Sequence, residues 1–400
     1  MNNILIFILS FCILPQSFSS EISLDQFLKK VKEQNINLKL ETAKQNAFED
    51  KAVGIRIPPP ILGLYQVKED FGNSPNGFEI SQEIPFPTKL KANHSARVFE
   101  AQAQKEMFTA NQNEILAKSK LAYIDLWLMQ ERIEVIHQRK KILDDHIMLS
   151  RSAVRSDSFL KIHLLKAESD LDLLENELES SKQKLKEKQL ILADIINEDQ
   201  QVFNPTAIAP PLSPIPKLND HGNIPKLESL RLSLESFKER ESEAKASWLP
   251  DFNLRFKQMG ATSTSSRYRE IMVGITLPFI YFWQPNADSK AANVDSLQAQ
   301  LNLNREKRNI DTKVTSLYSK VESLQKQLLN LKNKLIPRAN QRMKIVRNLA
   351  PRDMETIQDH RETMEAFPEL KMTELDLRMQ YEETIAELEK FVSNKGQSDE

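Results

Sequence analysis

Four short stretches of the chain alternate apolar and polar residues with a period of two, the first less regularly than the other three. This pattern is typical of strands with one apolar and one wet face. The predicted strands lie at about 61–68, 78–85, 251–259 and 270–278. In the fourth, Ile271, Val273 and Ile275 share one face, whereas Gly274 lies on the other. Polar residues join the first strand to the second and the third to the fourth, so two β-hairpins are expected.

Most of the remaining chain has a helical pattern. Residues 88–204 contain neither glycine nor proline, and Ala110, Ala117 and Ile124 follow one another at seven-residue spacing. Such spacing, with charges on the other faces, is typical of a coiled coil. A serine- and arginine-rich break near residues 150–158 predicts a helical hairpin over 88–200. A second hairpin is predicted over 286–392, with its turn near Pro351.

The same order of elements occurs twice. Ile-Pro-Phe-Pro at 84–87 and Leu-Pro-Phe-Ile at 277–280 each close a strand pattern before a long helix, at an offset of 278 − 85 = 193 residues. Asn-Ile at 35–36 and at 223–224 each precede a shorter helix, at an offset of 223 − 35 = 188. These near-constant offsets predict an internal duplication. The predicted parts are a first repeat at 20–204, a proline-rich linker at 205–225, a second repeat at 226–392 and a disordered tail at 393–400.

Composition limits the class of protein. Residues 1–19 are uncharged and hold a short apolar run, which predicts a signal peptide, with a single transmembrane anchor as the alternative. The one cysteine, Cys12, lies in this segment, so the mature chain is expected to form no disulfide or thiolate metal site. With 55 basic and 56 acidic residues, the chain shows no basic stripe for nucleic acid.

No later apolar stretch is long enough for a membrane helix, so any bilayer crossing must use strands. Four strands that face lipid cannot close a barrel alone, because their unpaired edge amides would be costly in hydrocarbon. The pattern therefore predicts a barrel shared between several subunits, provided that the strands contact lipid.

With these residues laid out, the chain resembles the TolC-type outer-membrane efflux family, nearest its CusC/CzcC-like heavy-metal branch. Gln-Glu-Ile-Pro-Phe-Pro-Thr-Lys at 82–89 is similar to the family's strand-to-helix junction, although Phe86 and Thr88 replace its usual tryptophan and glycine. Trp-Leu-Pro-Asp-Phe at 248–252 resembles the start of its third strand. Leu-Ile-Pro at 335–337 resembles its descent into the second hairpin tip.

The resemblance implies a mainly α fold with a small β part. Long coiled-coil hairpins would form an α-barrel in the periplasm, and four strands per subunit would join a shared trimeric transmembrane β-barrel. The implied function is a passive exit duct in the outer membrane of a Gram-negative bacterium, within a tripartite efflux or type I secretion system. Its partners would be a periplasmic adaptor and an inner-membrane pump of the RND or ABC type. The alternative is a soluble periplasmic coiled-coil adaptor or scaffold, against which the strand alternation argues.

In this family, acidic residues near the periplasmic entrance can form rings that favour cations, and ion pairs can hold the tips shut. The candidate gate residues are Arg151, Arg155, Asp157, Arg352, Asp353 and Asp359. The candidate adaptor-docking residues are Ala153, Val154, Leu349, Ala350 and Pro351. Ordinary exposed helix charges are the alternative interpretation of the gate set. Pro337 and Pro368 are expected to kink their helices, with a loop as the alternative at Pro368.

No catalytic constellation, cofactor site or metal site is predicted. Asp-Asp-His at 144–146 is interpreted as the solvated face of a charged helix rather than as a metal site. Five methionines occur in the second hairpin: Met343, Met354, Met364, Met372 and Met379. Thioethers suit soft ions such as copper(I), but methionine as a filler of helical cores is the preferred interpretation. The sequence therefore favours a channel over an enzyme.

Overall fold

The structure is a computed structural model. It describes residues 19–66, 76–154, 161–199, 204–217, 224–261, 266–347 and 354–391. The helices are α1 Leu24–Gln34, α2 Ile36–Ala52, α3 Pro87–Val154, α4 Lys161–Ile195, α5 Pro225–Lys245, α6 Trp283–Asn330, α7 Ile336–Arg347 and α8 Met354–Glu389. The strands are β1 Ser19–Ile22, β2 Ile61–Gln66, β3 Asn76–Ile84, β4 Asn204–Ala207, β5 Phe252–Met259 and β6 Tyr268–Ile275. No helix in these ranges combines the length and hydropathy needed to cross a membrane.

The chain divides into two compact units. Unit 1 comprises Met1–Lys39, Gln112–Lys217 and Val314–Lys390, and unit 2 comprises Leu40–Asn111, Leu218–Lys313 and Phe391–Glu400. The predicted signal peptide, apart from Ser19, and the predicted disordered tail lie outside the described residues.

Side-chain caps set the helix ends of unit 1. Ser23 and Gln26 form a reciprocal capping box at the start of α1. Asn35, part of the duplicated Asn-Ile pair, accepts a hydrogen bond from the Leu38 amide at 3.1 Å and donates one to the Ile195 carbonyl at 2.7 Å. Just past α4, Asn197 has a φ of 53°, the left-handed conformation that commonly ends a helix. Asn35 therefore fixes the boundary between α1 and α2 through one local bond, with Leu38, and one distant bond, with Ile195.

The core of unit 1 lies where the short helices pack on the long ones. Phe27 and Tyr123 are fully buried, with ring centroids 5.8 Å apart. The Tyr123 hydroxyl lies 2.7 Å from the Ile22 carbonyl and 2.8 Å from that of Ile208. It therefore ties α3 to both strands of a small parallel sheet formed by β1 and β4. The sequence did not predict this sheet, because four residues show no usable alternation.

Unit 2 holds an antiparallel sheet of four strands in the order β2-β3-β5-β6. The hairpin β2-β3 precedes α3 and the hairpin β5-β6 precedes α6. The first strands of the two hairpins start 252 − 61 = 191 residues apart and the second strands 268 − 76 = 192. Long helices, four strands and a repeated order of elements confirm the predicted fold class.

The second helical hairpin, formed by α6, α7 and α8, contains a local irregularity that the sequence did not predict. A π-helical turn at Leu331–Leu335 separates α6 from α7, and the Ile336 amide donates to the Leu331 carbonyl. Pro337 follows as the second residue of α7, inside a helical run that continues directly from the π-helical turn, so its ring removes one N–H from that run. The widened turn provides space for the proline ring next to the preceding carbonyls. Pro368 lies inside α8 rather than in a loop.

Candidate functional site

The four-stranded sheet separates apolar from charged side chains. Residues opposite each other in an antiparallel register project from the same face. The register pairs Leu254 with Val273, and Phe256 with both Ile80 and Ile271. The apolar face consists of Leu62, Leu64, Phe78, Ile80, Ile84, Phe252, Leu254, Phe256, Ile271, Val273 and Ile275.

Much of this apolar face is exposed in the single chain. The exposed fraction is 80% for Leu64, 72% for Ile271 and 70% for Val273. Soluble monomers rarely leave a contiguous apolar patch of this kind in water. The face is therefore suited to contact an apolar environment.

The opposite face is wet and internally paired. The Tyr65 hydroxyl donates to Glu79 at 2.8 Å, and the Arg255 guanidinium lies 3.9 Å from Glu79 and 3.7 Å from Glu270. The Lys257 ammonium lies 5.0 Å above the Tyr65 ring, within cation–π range. These charges find partners on their own face. Within the paired register, the one charged residue on the apolar face is Arg269, which lies opposite Gln258 near the turn of the hairpin.

The sheet also has two free edges. Within the part of the chain that the structure describes, the outer edges of β2 and β6 pair with no other strand. A free edge presents a row of unpaired N–H and C=O groups, which require water or another strand as partners. An apolar environment supplies neither, so a second strand is required wherever this sheet leaves water.

Two of the sequence motifs meet at the base of the sheet. The Lys89 ammonium, from the first motif, lies 2.8 Å from both carboxylate oxygens of Asp251, from the second. The Phe86 amide also donates to Asp251 at 2.8 Å, and the Asp251 amide donates to the Thr276 hydroxyl at 2.7 Å. The rings of Phe86 and Phe252 stack with centroids 6.2 Å apart. Asp251 therefore joins the start of α3 to the strands of the second hairpin.

Three consecutive aromatic residues lie where the second hairpin passes into α6. Tyr281, Phe282 and Trp283 are each exposed, at 59%, 58% and 59%. The Trp283 ring makes edge contacts with Tyr281 and Phe282 at centroid distances of 5.5 and 5.4 Å. Exposed aromatic residues at the end of an apolar strand surface are typical of the boundary between membrane and water.

The structure describes only part of the predicted tips. The residues outside the described ranges are Arg155, Asp157, Leu349, Ala350, Pro351, Arg352 and Asp353. Ala153 and Val154 are the last residues of α3. Arg151 is exposed and pairs with Glu168 of α4 at 2.8 Å. Asp359 is exposed on α8. The gate and docking assignments therefore stay predictions.

A charged network that the sequence did not predict lies beside Asp359. The Arg361 guanidinium reaches Asp170 at 2.6 Å and Glu365 at 2.9 Å, which ties α8 to α4. Its i,i+4 spacing to Glu365 was a readable signal. Its pairing with Asp170 was not, because that contact joins two separate helices.

His146 is buried against this network. Its exposed fraction is 7%, so the interpretation of residues 144–146 as a solvated face is wrong for the histidine, although Asp144 is exposed. Burial lowers the pKa of His146, and Arg361 lowers it further, against smaller opposing effects of Glu365 and Asp170. His360 also lies near His146, and burial lowers its pKa as well.

Metal ligation receives no support from the side chains that the structure describes, since no three His, Cys, Asp or Glu residues converge on one point among them. Met364 is buried. Met372 packs against one apolar cluster of unit 1 and Met379 against another. These methionines therefore fill helical cores.

Charged and aromatic side chains of α8 form hydrogen bonds with the backbone of the proline-rich linker. The Arg378 guanidinium donates to the Pro211 carbonyl at 2.6 Å and lies 2.8 Å from the Glu382 carboxylate. The Ser213 amide donates to Glu382 at 3.2 Å, and the Tyr381 hydroxyl donates to the Ser213 carbonyl at 2.7 Å. Glu382 is 1% exposed, so this ion pair is part of the core of unit 1.

The combination of long helical hairpins and a small four-stranded sheet is a fold that this chain shares with solved structures of outer-membrane channels. The chain is similar to the solved structure of CusC, with a TM-score of 0.76, 13% identity and coverage of 94% of this chain and 93% of that one. It is also similar to the CmeC channel of Campylobacter jejuni, with a TM-score of 0.73, 14% identity and coverage of 94% and 87%. For the MtrE channel of Neisseria gonorrhoeae in its open state, the TM-score is 0.73 and the identity 13%, with coverage of 92% of this chain and 88% of that one.

Neither the protein-family models nor the curated protein sequences give a match to this chain. At 13–14% identity, the similarity to the solved channels is one of fold. The predicted resemblance to TolC-type channels is confirmed at that level.

Proposed function

We propose that this protein is an outer-membrane channel of a Gram-negative bacterium. It serves as the passive exit duct of a tripartite efflux or type I secretion system and catalyses no reaction. The observation that carries the proposal is the sheet with one exposed apolar face and two free edges. The fold shared with CusC, CmeC and MtrE, each of them a membrane channel by name, supports it.

The energy of the apolar face favours lipid. Eight of its side chains are large and exposed: Leu62, Leu64, Ile80, Phe252, Leu254, Ile271, Val273 and Ile275. Their exposed fractions together correspond to between four and five fully exposed side chains. At about 2 kcal/mol for each fully buried side chain, transfer to hydrocarbon is favourable by roughly 9 kcal/mol per chain.

The free edges set the assembly. In hydrocarbon, β2 of one copy needs a strand of another copy, and β6 is the edge that remains available. Three copies of a four-stranded sheet give 3 × 4 = 12 strands, which close the barrel that the family resemblance implies. We therefore propose a homotrimer.

The exposed aromatic triplet then sets the depth of the sheet. Tyr281, Phe282 and Trp283 would lie at the periplasmic boundary of the membrane, where aromatic girdles flank transmembrane barrels. The helical hairpins would extend into the periplasm, where their tips meet the adaptor and the pump. The predicted gate and docking residues belong to this part of the proposal.

The test measures insertion, assembly and conduction on the full chain. A variant in which Trp127 and Trp248 are replaced by Phe retains Trp283 as its sole tryptophan. After refolding into vesicles, lipids brominated near the headgroup are expected to quench Trp283 more than lipids brominated at the acyl terminus. The same sample is expected to run as a heat-sensitive trimer and to conduct ions in a planar bilayer. A monomer that stays in the aqueous fraction, with Trp283 unquenched, contradicts the proposal.

A further inference from the structure

Unit 2 contains a cavity of about 550 Å³ between α2, α3 and α5. This volume falls within the range of small-molecule sites, ~300–1,000 Å³. Its charged lining residues are Lys51, Arg56, Arg97, Glu100, Arg240 and Glu243. Four cations face two carboxylates, so the lining carries a formal net charge of 4 − 2 = +2.

Two of the cations are available to a ligand. Arg97 is held by backbone carbonyls, donating to Lys51 at 2.7 Å and Gly54 at 3.0 Å, and by the Asn93 side-chain oxygen at 3.1 Å. These bonds orient the guanidinium and leave N–H groups free. Within the described residues, neither Arg97 nor Arg56 forms an ion pair. Burial lowers the pKa of Arg97, and the adjacent Arg56 charge lowers it further, against opposing effects of Glu243 and Glu100. A bound anion would relieve the repulsion between the two guanidinium groups.

One of the two carboxylates in the cavity is already neutralised by an ion pair, and the other is not. Glu100 is already paired with Arg240. Glu243 accepts hydrogen bonds from the Asn93 amide at 3.0 and 3.3 Å, and among the described residues it forms no ion pair. The cavity therefore presents unpaired guanidinium groups and one unpaired carboxylate together. A simple anion would pair with the guanidinium groups but would leave the Glu243 carboxylate without a partner.

We propose that this cavity binds the headgroup of a phosphoethanolamine lipid. The phosphate diester accepts hydrogen bonds from Arg56 and Arg97, and the primary ammonium donates to Glu243. Guanidinium groups are suited to phosphate oxygens, because their N–H groups form a planar fork. A quaternary choline headgroup has no N–H for Glu243, and a phosphoglycerol headgroup has no cation for it.

The position of the cavity points to a lipid rather than a soluble phosphoester. Arg56 lies 61 − 56 = 5 residues before β2, which places it at most ~18 Å along the chain from the apolar sheet. Ile55 and Ile57, on either side of it, are 62% and 48% exposed and suit contact with acyl chains. This step rests on the proposed function, since it requires the sheet to lie in a membrane.

The experiment is native mass spectrometry of the detergent-purified full chain. Phosphatidylethanolamine, phosphatidylglycerol and phosphatidylcholine with matched acyl chains are added in equal amounts. The wild-type chain is expected to retain phosphatidylethanolamine roughly tenfold over the other two, as expected for one additional hydrogen bond to a charged group. Arg56→Gln is expected to lower retention of both phosphatidylethanolamine and phosphatidylglycerol about fivefold to tenfold. Glu243→Gln is expected to remove the preference for ethanolamine alone.

Matched controls lie on α5 outside the cavity. Arg231→Gln and Glu235→Gln each remove one charge that pairs within that helix, with Glu228 and Lys238 respectively. Both are expected to bind lipid as the wild type does. Equal retention of the three lipids, or an equal loss in the controls, overturns the inference. Soluble glycerophosphoethanolamine that binds as tightly as the lipid overturns the lipid source.

A parallel flotation assay separates this inference from the proposed function. Wild-type protein is mixed with phosphatidylcholine vesicles, which the cavity is expected not to select. Protein that floats but shows no ethanolamine preference overturns the headgroup site and leaves the channel proposal standing. Protein that does not float contradicts the channel itself, and lipid retention in detergent then decides the cavity separately.

Discussion

A lysine on the apolar face of the sheet tests lipid contact directly. Val273 is 70% exposed, lies in the interior of β6 and is paired with Leu254. If this face contacts lipid, Val273→Lys places a charge in hydrocarbon. For a lipid-facing strand position, this costs ~2–4 kcal/mol at the bilayer midplane and less toward the interface. In water, the same exposed substitution changes stability by about 0.5 kcal/mol or less.

The adjacent residue supplies the control. Gly274 lies on the opposite, charged face, and a side chain there would approach Asn253 at an ordinary 3.8 Å. Gly274→Lys therefore adds the same charge, one residue away, on the wet side. The assay is urea-titrated refolding into vesicles, read as the fraction of heat-sensitive oligomer. A cost of ~2 kcal/mol lowers the insertion equilibrium roughly 30-fold per chain for Val273→Lys only. Equal insertion of both variants, or equal loss in both, would refute the assignment of the two faces.

Three further predictions concern the packing that supports the sheet and the hairpins. Asp251→Ala removes a half-buried ion pair and the hydrogen bond from the Phe86 amide, and is expected to destabilise unit 2 by ~1.5–3 kcal/mol in urea unfolding. Glu382→Ala leaves Arg378 without its ion-pair partner and is expected to lower the free energy of unfolding of unit 1 by ~3 kcal/mol. Replacing Glu382 with Leu and Arg378 with Met in the same chain is expected to lower it by less. The lowered pKa of His146 means that the unfolded chain binds its proton more readily than the folded chain. The contribution of neutral His146 to the free energy of unfolding is therefore complete above its unfolded pKa near 6.5. This contribution is lost as the pH falls toward the lower pKa of the folded state. Unit 1 should therefore unfold at a lower urea concentration at about pH 5.5 than at about pH 7.5.

Each of these has a control within the chain. Lys238→Ala, at an exposed intrahelical pair, should change stability by ~0.5 kcal/mol or less. If it matches Asp251→Ala, the junction has no special role. A Glu382 and Arg378 double variant as unstable as the Glu382 single variant would contradict the coupling. His146→Gln should reduce the pH dependence, and an unchanged profile would place its origin elsewhere, with His360 the next group to replace.

The strand hairpins could be predicted from the sequence, because successive residues of a strand project to opposite faces and their polarity indicates which face is apolar. In β6, alternation placed Ile271, Val273 and Ile275 together, and the register bears this out. The two motifs that resemble the family, at 82–89 and 248–252, also contain Lys89 and Asp251, which meet at the junction. Periodicity is a property of neighbouring residues, so it survives without knowledge of the rest of the fold.

Contacts between distant segments were not readable. Nothing in the sequence paired Arg361 with Asp170, buried His146 against them, or aligned β1 with β4. The π-helical turn before Pro337 was missed for a related reason, because a proline signals a disturbance but not the backbone geometry that absorbs it. The interpretation of residues 144–146 as a solvated face was wrong for the histidine, because its burial depends on the packing of separate helices.

The sequence alone determined that this chain forms two copies of a strand hairpin followed by long helices, and which strand face is apolar. Those properties follow from local periodicity, since each side chain's direction is fixed by its own backbone. The tertiary structure alone decided that the two hairpins join as one sheet through β3 and β5, and that Asp251 locks this sheet to α3. Such pairings depend on segments more than 150 residues apart, where loop closure permits many partners and only packing selects one.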